Sequence, residues 1–325
     1  MPERIPHSNA KHAIEKQHKL ACTLRDQRDY VKAETLFHEV LELALKHYGE
    51  ADVRTANILN NIALLIRDQR KYAQAETLFR RVLVVYSNVY GANHSLVGRC
   101  LNSIATTLRA SGDLSGALSV LLRSLDISKQ QHGASHPSVA RRLRSIAMLY
   151  HGMGDLKRAG DSYTQALEMM TDTLGEKHYE TAVCLGELGL YFWDVGNVGL
   201  AQQRLEQSLS ILTRTRGEQH PSTARVLGSL AGLYQSQGKF EEAEDLYEKA
   251  LSIVSARQGS AHPASASLLA NLAGLAWERG ELQKAHVGYS KALTILISIN
   301  GPTHVQTKTV QNLLNAIEAE LTKSA

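Results

Sequence analysis

The chain has 325 residues, 43% of them hydrophobic and 6% aromatic, with a net charge of +4 and a pI near 8.8. This hydrophobic share allows a sizeable core, and six prolines amid much Ala, Leu, Gln, Glu and Arg favour helix. The modest charge does not demand nucleic acid, the distant cysteines Cys22, Cys100 and Cys184 form no disulfide or zinc framework, and the longest apolar stretch, residues 268–277, is about half a membrane span.

Residues 1–9 carry charge and two prolines where a signal peptide would be apolar. They read as a disordered N-terminus, and the chain reads as cytoplasmic with reduced thiols. From residue 10 onward one period organises the sequence. Gly49, Gly91, Gly133, Gly175, Gly217, Gly259 and Gly301 are spaced by 42. Ala33, Ala75, Ala117, Ala159, Ala201, Ala243 and Ala285 keep the same interval. A third series is Gly112, Gly154, Gly196, Gly238 and Gly280, with Arg28 and Arg70 in the two earlier phased positions. Such self-similarity is the mark of a stacked repeat architecture.

Each unit reads as helix, tight turn, helix. In chain order the predicted pairs are 10–48, 52–90, 94–132, 136–174, 178–216, 220–258 and 262–300. A last helix over 304–321, with Leu313, Leu314 and Ile317 on one side, forms an end cap. In the sixth pair Val226, Leu227, Leu230, Ala231 and Tyr234 follow helical spacing until Gly238. Phe240, Ala243, Leu246, Tyr247, Ala250, Leu251 and Val254 then resume it until Gly259. Glycine at a helix end suits a left-handed cap. Neither helix can bury its apolar stripe alone, so successive pairs must stack. The phased alanines let paired helices approach closely, and leucine there would overpack the contact by about 1–3 kcal/mol. No linker or low-complexity stretch interrupts residues 10–321, which read as a single repeat domain.

Six glycines of the first series are followed three residues later by His94, His136, His178, His220, His262 and His304. Ligands of one ion all lie about 2 Å from it, whereas equivalent positions on stacked pairs are at least one helix-packing distance apart, about 8–10 Å. The histidines therefore do not converge on a metal. They sit at the start of each first helix, three of them before a proline suited to the first helical turn. Asp52 takes the same place in the first joint, and Asp is a good N-cap. The expectation is structural punctuation with no metal and no cofactor. No phosphate loop, HExxH, EF-hand or GxSxG elbow occurs, and the glycines of HGMGDLKRAG (151–160) form a turn between helices with no strand before it. The chain is expected not to be an enzyme.

LAGLYQSQGKFEEAEDLYEKAL (230–251) resembles the tetratricopeptide repeat, whose usual period is about 34 residues. The longer unit, with LNNIALLIRDQRKYAQAETLFRRVL (59–83) and the Gly-x-x-His-Pro joints, resembles the repeats of kinesin light chain over roughly residues 10–320. The resemblance implies an all-α, right-handed superhelical solenoid of stacked antiparallel helix pairs. It also implies that the first helices line a concave groove in which an extended peptide lies.

Sorted by phase, the groove candidates are Asn57, Asn60, Asn61 and Arg67 in the second pair, Arg99, Asn102 and Arg109 in the third, and Arg141, Arg144 and His151 in the fourth. Trp193, Arg225, and the pair Asn271 and Trp277 follow in the fifth, sixth and seventh. Asparagine can hold an extended main chain through both C=O and N–H, and arginine takes carboxylates in bidentate fashion. The arginines gather in pairs two to four, with Asp68 the main nearby acid. Pairs five to seven are more apolar, and Trp193 and Trp277 could flank a pocket.

The expected function is a protein–protein interaction scaffold or adaptor that binds a partner's acidic segment with an apolar or aromatic anchor, without nucleic acid or membrane insertion. LNNIA (59–63) and LNSIA (101–105) keep the pattern of kinesin light chain helices that hold acidic, often Trp-containing cargo peptides. LRSIA (143–147), LGELG (185–189) and LGSLA (227–231) do not. The carboxylate clamp of tetratricopeptide co-chaperones needs Lys where this chain has Asn, Arg or Gly. A self-assembling structural array, and an interaction module excerpted from a larger signalling or transport protein, remain alternatives, with the oligomeric state open.

Overall fold

The computed structural model describes residues 7–324. Fifteen helices, and no strand, are found among the described residues. The chain divides into two compact units, Met1–Met169 and Met170–Ala325. The sequence reads as one continuous domain; this division falls inside the eighth helix.

The first unit holds α1 (His7–Asp26), α2 (Tyr30–Tyr48), α3 (Val53–Asp68), α4 (Tyr72–Tyr90), α5 (Ser95–Ser111), α6 (Leu114–His132), α7 (Pro137–Gly152) and most of α8 (Leu156–Leu174). The second holds α9 (Tyr179–Asp194), α10 (Val198–Arg216), α11 (Pro221–Ser236), α12 (Phe240–Gln258), α13 (Pro263–Glu278), α14 (Leu282–Asn300) and α15 (Val305–Ser324). α1 begins at His7, inside the segment expected to be disordered, and residues 1–6 of that segment lie outside the described residues. α15 continues three residues past the expected end of the cap.

From α1 to α7 and from α9 to α15 each helix packs on the next one in sequence, and first helices also touch first helices, as α1 does α3 and α11 does α13. The seven phased alanines are fully buried, with no exposed surface. Four residues on, Phe37, Phe79, Leu121, Tyr163, Leu205, Tyr247 and Tyr289 form a second buried row, none more than 4% exposed. A small residue followed one turn later by a large one lets each second helix press close and then fill the space beside its partner.

The turns inside the pairs are left-handed. Gly112 takes φ 93°, ψ −4°, and the phased Arg28 and Arg70 are both forced to φ 64°, a conformation that costs a side chain about 1–2 kcal/mol.

The joints between pairs differ from the expected left-handed cap. Gly49 sits at φ 85°, ψ 171° and Gly217 at φ 90°, ψ 159°, an extended region open essentially only to glycine. The reason lies in the hydrogen bonds that follow. The Gly217 N–H still closes the helix on Thr213 O, while its carbonyl turns away and accepts from the His220 N–H at 3.3 Å and the Thr223 hydroxyl at 3.0 Å. Thr55 on Gly49 and Thr181 on Gly175 repeat the hydroxyl bond at 2.8 and 2.9 Å.

The phased histidines are helix N-caps. Nδ1 of His94, His136, His178, His220, His262 and His304 accepts from the backbone N–H two residues on, at 3.1–3.3 Å. Asp52 does the same for Arg54 at 2.8 Å. Two rings also stack across their joints, His94 on Tyr90 and His136 on His132, with centroids 4.6 and 4.4 Å apart. The cap requires an unprotonated Nδ1, and the positive end of the helix disfavours imidazolium. Burial, then His132 and Arg141, lower the pKa of His136; burial, then Arg216 and Arg257, lower that of His220.

Candidate functional site

In the first unit the faces of α3, α5 and α7, with the end of α6, enclose a cavity of about 570 Å³. Four of the groove candidates line it: Asn60, Arg99, Asn102 and Arg141. A third guanidinium, from Arg142, joins them, and no carboxylate is among the lining residues. The hydroxyls of Ser95, Ser103 and Ser128 and the Gln131 amide add hydrogen-bonding groups.

The other candidates of this unit are elsewhere. Asn57 is held by the Tyr86 hydroxyl, which donates to its Oδ1 at 2.6 Å, and burial pushes that phenol up to about 12. Asn61 bonds His18 Nε2 at 2.8 Å, one repeat back. Arg67 lies 3.6 Å from Asp68. Arg109 is exposed, Arg144 is off the cavity wall, and His151 meets the Tyr163 ring edge-on at 6.3 Å.

In the second unit α9, α11 and α13, with α12 behind them, line a more open cavity of about 870 Å³. Trp193, Arg225 and Asn271 face it, together with Leu190, Val254 and Leu268. Glycines make the room. A Cβ at Gly232 would lie 2.8 Å from Cη2 of Trp193 and 3.2 Å from the Tyr247 hydroxyl, and one at Gly228 would lie 3.1 Å from Leu268. The indole therefore lies against bare backbone, and its N–H has no partner among the described residues. Tyr247 donates to Gln235 Oε1 at 3.2 Å, and Gln235 donates to Glu278 at 2.8 Å. Burial, reinforced by Glu278, pushes the Tyr247 phenol up to about 12.

Trp277 does not flank this cavity. It packs against the core around Ala273 and Leu314, and its Nε1 donates to Glu320 at 3.0 Å. This bond, like Asn61 to His18 and Gln235 to Glu278, spans 43 residues. Side chains at these first-helix phases tie one repeat to the next.

The sorting by phase missed Arg142, Tyr247 and Glu278. A signal for Arg142 was present, because its phase is otherwise a core row. None marked Tyr247, whose ring belongs to the core while its hydroxyl reaches the cavity.

The cysteines give no reactive centre. Cys100 and Cys184 are buried, and burial pushes the Cys100 thiol up to about 12. Among the described residues no group of three or more His, Cys, Asp or Glu is placed to hold a metal ion, and no helix is long and apolar enough to cross a membrane.

No curated protein matches the sequence. Among solved structures the chain is similar to BtubC (BKLC) from P. vanneervenii, at 23% identity over 72% of this chain and 92% of that one, with a TM-score of 0.54. A putative kinesin light chain with nearly identical TPR-like repeats from Podosopora anserina, in a Q17M form, is 23% identical over 62% of this chain and 94% of that one, with a TM-score of 0.50. The apo form of RapI is 18% identical over 87% and 97%, with a TM-score of 0.67. At these identities the likeness speaks to the fold. The sequence itself matches the tetratricopeptide repeat family at residues 16–53 and in overlapping stretches that run from 54 to 298. The helix pairs, their buried alanines and their glycine turns are thus those of a known repeat, and the chain belongs to the tetratricopeptide repeat family.

Proposed function

We propose that this interaction scaffold binds an extended acidic segment of a partner protein along its first helices, and that it does so without catalysis. Tetratricopeptide repeat proteins are generally non-enzymatic interaction modules. The observation that carries the finer reading is the cavity of the first unit, where Arg99 and Arg141 stand beside Asn60 and Asn102 with no carboxylate in the wall. The guanidiniums would take acidic side chains, and the asparagines the peptide main chain. The cavity of the second unit, with Trp193, Leu190 and Leu268 around a glycine floor, suits an apolar or aromatic side chain. The free thiols support a reducing, cytoplasmic setting.

Peptide arrays probed with the wild-type chain and with an Arg99→Glu, Arg141→Glu variant test the assignment. Acidic peptides should bind the wild type and lose about ten-fold or more in affinity on charge reversal, since each bidentate pair is among the stronger hydrogen-bonded contacts. Unchanged affinity would place the acidic segment elsewhere.

A further inference from the structure

Arg142 stands where the repeat otherwise keeps a core residue. At intervals of 42 along the same row are Ile58, Cys100, Cys184, Val226 and Leu268, none more than 8% exposed. Lys16, 42 residues before Ile58, is charged but exposed; from residue 58 onward only position 142 of this row carries a charge. The Arg142 Nε donates to the Ser124 hydroxyl at 3.1 Å, and that hydroxyl donates to Gly98 O at 2.7 Å. Ser208 makes the same backbone bond to Ala182 at 2.6 Å in the repeat that has Val226, so the serine does not depend on an arginine. Held through Nε, the guanidinium keeps its two terminal amino groups for the cavity it lines.

The charges that act on it are those of two other arginines. Burial depresses the Arg142 pKa first, and the charges of Arg141 and Arg99 depress it further. Neither Arg142 nor Arg99 has a carboxylate within ion-pair distance among the described residues. An arginine kept for packing or stability would be expected to bring a counter-charge, because even a half-buried cation without one loses hydration. This one brings two like charges instead.

We propose that this cavity takes a phosphate monoester, presented by a phosphorylated serine or threonine within the partner's acidic segment. The inference rests on the acidic-segment reading above and narrows it. A carboxylate offers one charge and two oxygens, which a single guanidinium satisfies. A phosphate monoester carries about −1.5 to −2 and three acceptor oxygens, enough to engage the forks of both Arg99 and Arg142 and a neighbouring hydroxyl.

The test is fluorescence anisotropy with the full chain and one acidic peptide in three forms: a central serine, its phosphorylated form, and glutamate in its place. The phosphorylated form should bind about ten-fold tighter than the other two. In Arg142→Leu, which returns the row to its apolar pattern, that ratio should fall to about one while the variant melts no lower than the wild type. Arg142→Lys keeps the charge without the fork; it should also lose most of the ratio, and it carries the test if the leucine variant fails to fold. A ratio near one in the wild type, or one that survives both substitutions, overturns the phosphate assignment and leaves the acidic groove standing. Failure of all three peptides to bind overturns both. Free O-phosphoserine competing as well as the peptide would give the cavity to a small molecule and overturn the partner assignment.

Discussion

Replacing His220 with alanine should cost about 1 kcal/mol at neutral pH and almost nothing in mild acid. At pH 7.5 the neutral imidazole accepts from the Ser222 N–H at 3.1 Å. Alanine removes that acceptor but spares the bonds of His220 N–H and the Thr223 hydroxyl to Gly217 O. The loss is therefore that of an N-cap alone, about 1 kcal/mol, or roughly 2–4 °C in a domain of this unit's size.

The acid limb follows from the depressed pKa of His220. The folded chain binds fewer protons than the unfolded one near pH 6, so stability rises with pH. The cap's contribution is complete above the ordinary histidine value of about 6.5 and drains away as pH falls through the lower folded value. His220→Asn keeps an acceptor that does not titrate. Thermal melts at pH 7.5 should rank wild type with Asn and Ala below; at pH 5 the wild type should drop toward Ala while Asn stays above. Contributions from the rest of the chain are common to all three proteins and cancel in the differences. An Ala variant that melts with the wild type at pH 7.5, or an Ala gap that does not shrink in acid, would refute the cap.

Arg28→Gly should stabilise the protein by about 0.5–1 kcal/mol, because Arg28 occupies φ 64° where later repeats have glycine; a denaturant midpoint shifted upward at constant slope checks this. Gly232→Ala should push the Trp193 indole off the wall of the second cavity, since the new Cβ would approach its ring to 2.8 Å. Tryptophan emission in a Trp277→Phe background should then shift, and an unchanged spectrum would show that the indole does not rest on Gly232.

The repeat frame was legible in the sequence because its carriers are residues whose size is their function. A buried row such as Ala33 to Ala285 tolerates nothing larger, so the period shows plainly. The backbone of the joints was not legible, because glycine suits the left-handed and the extended region alike. Only the Thr223 and His220 bonds to the Gly217 carbonyl decide between them. The cavity in the first unit was partly legible. Arg99, Asn60 and Asn102 follow from helical phase. Arg142 was not legible by that phase, because its position belongs to the packing stripe itself. Trp277 looked like a groove residue because its partner, Glu320, lies 43 residues away, beyond any local pattern.

The joint motif has an evolutionary corollary. At four joints, those of Gly49, Gly175, Gly217 and Gly259, the hydroxyl six residues after the departing glycine bonds that glycine's own carbonyl, so the turn is closed by local contacts. A block of forty-two residues cut at two such links would leave both ends intact. Duplication, loss or transplantation of whole cassettes is therefore a tolerated change for this gene, whereas a single-codon slip at a link would unseat the helix that follows.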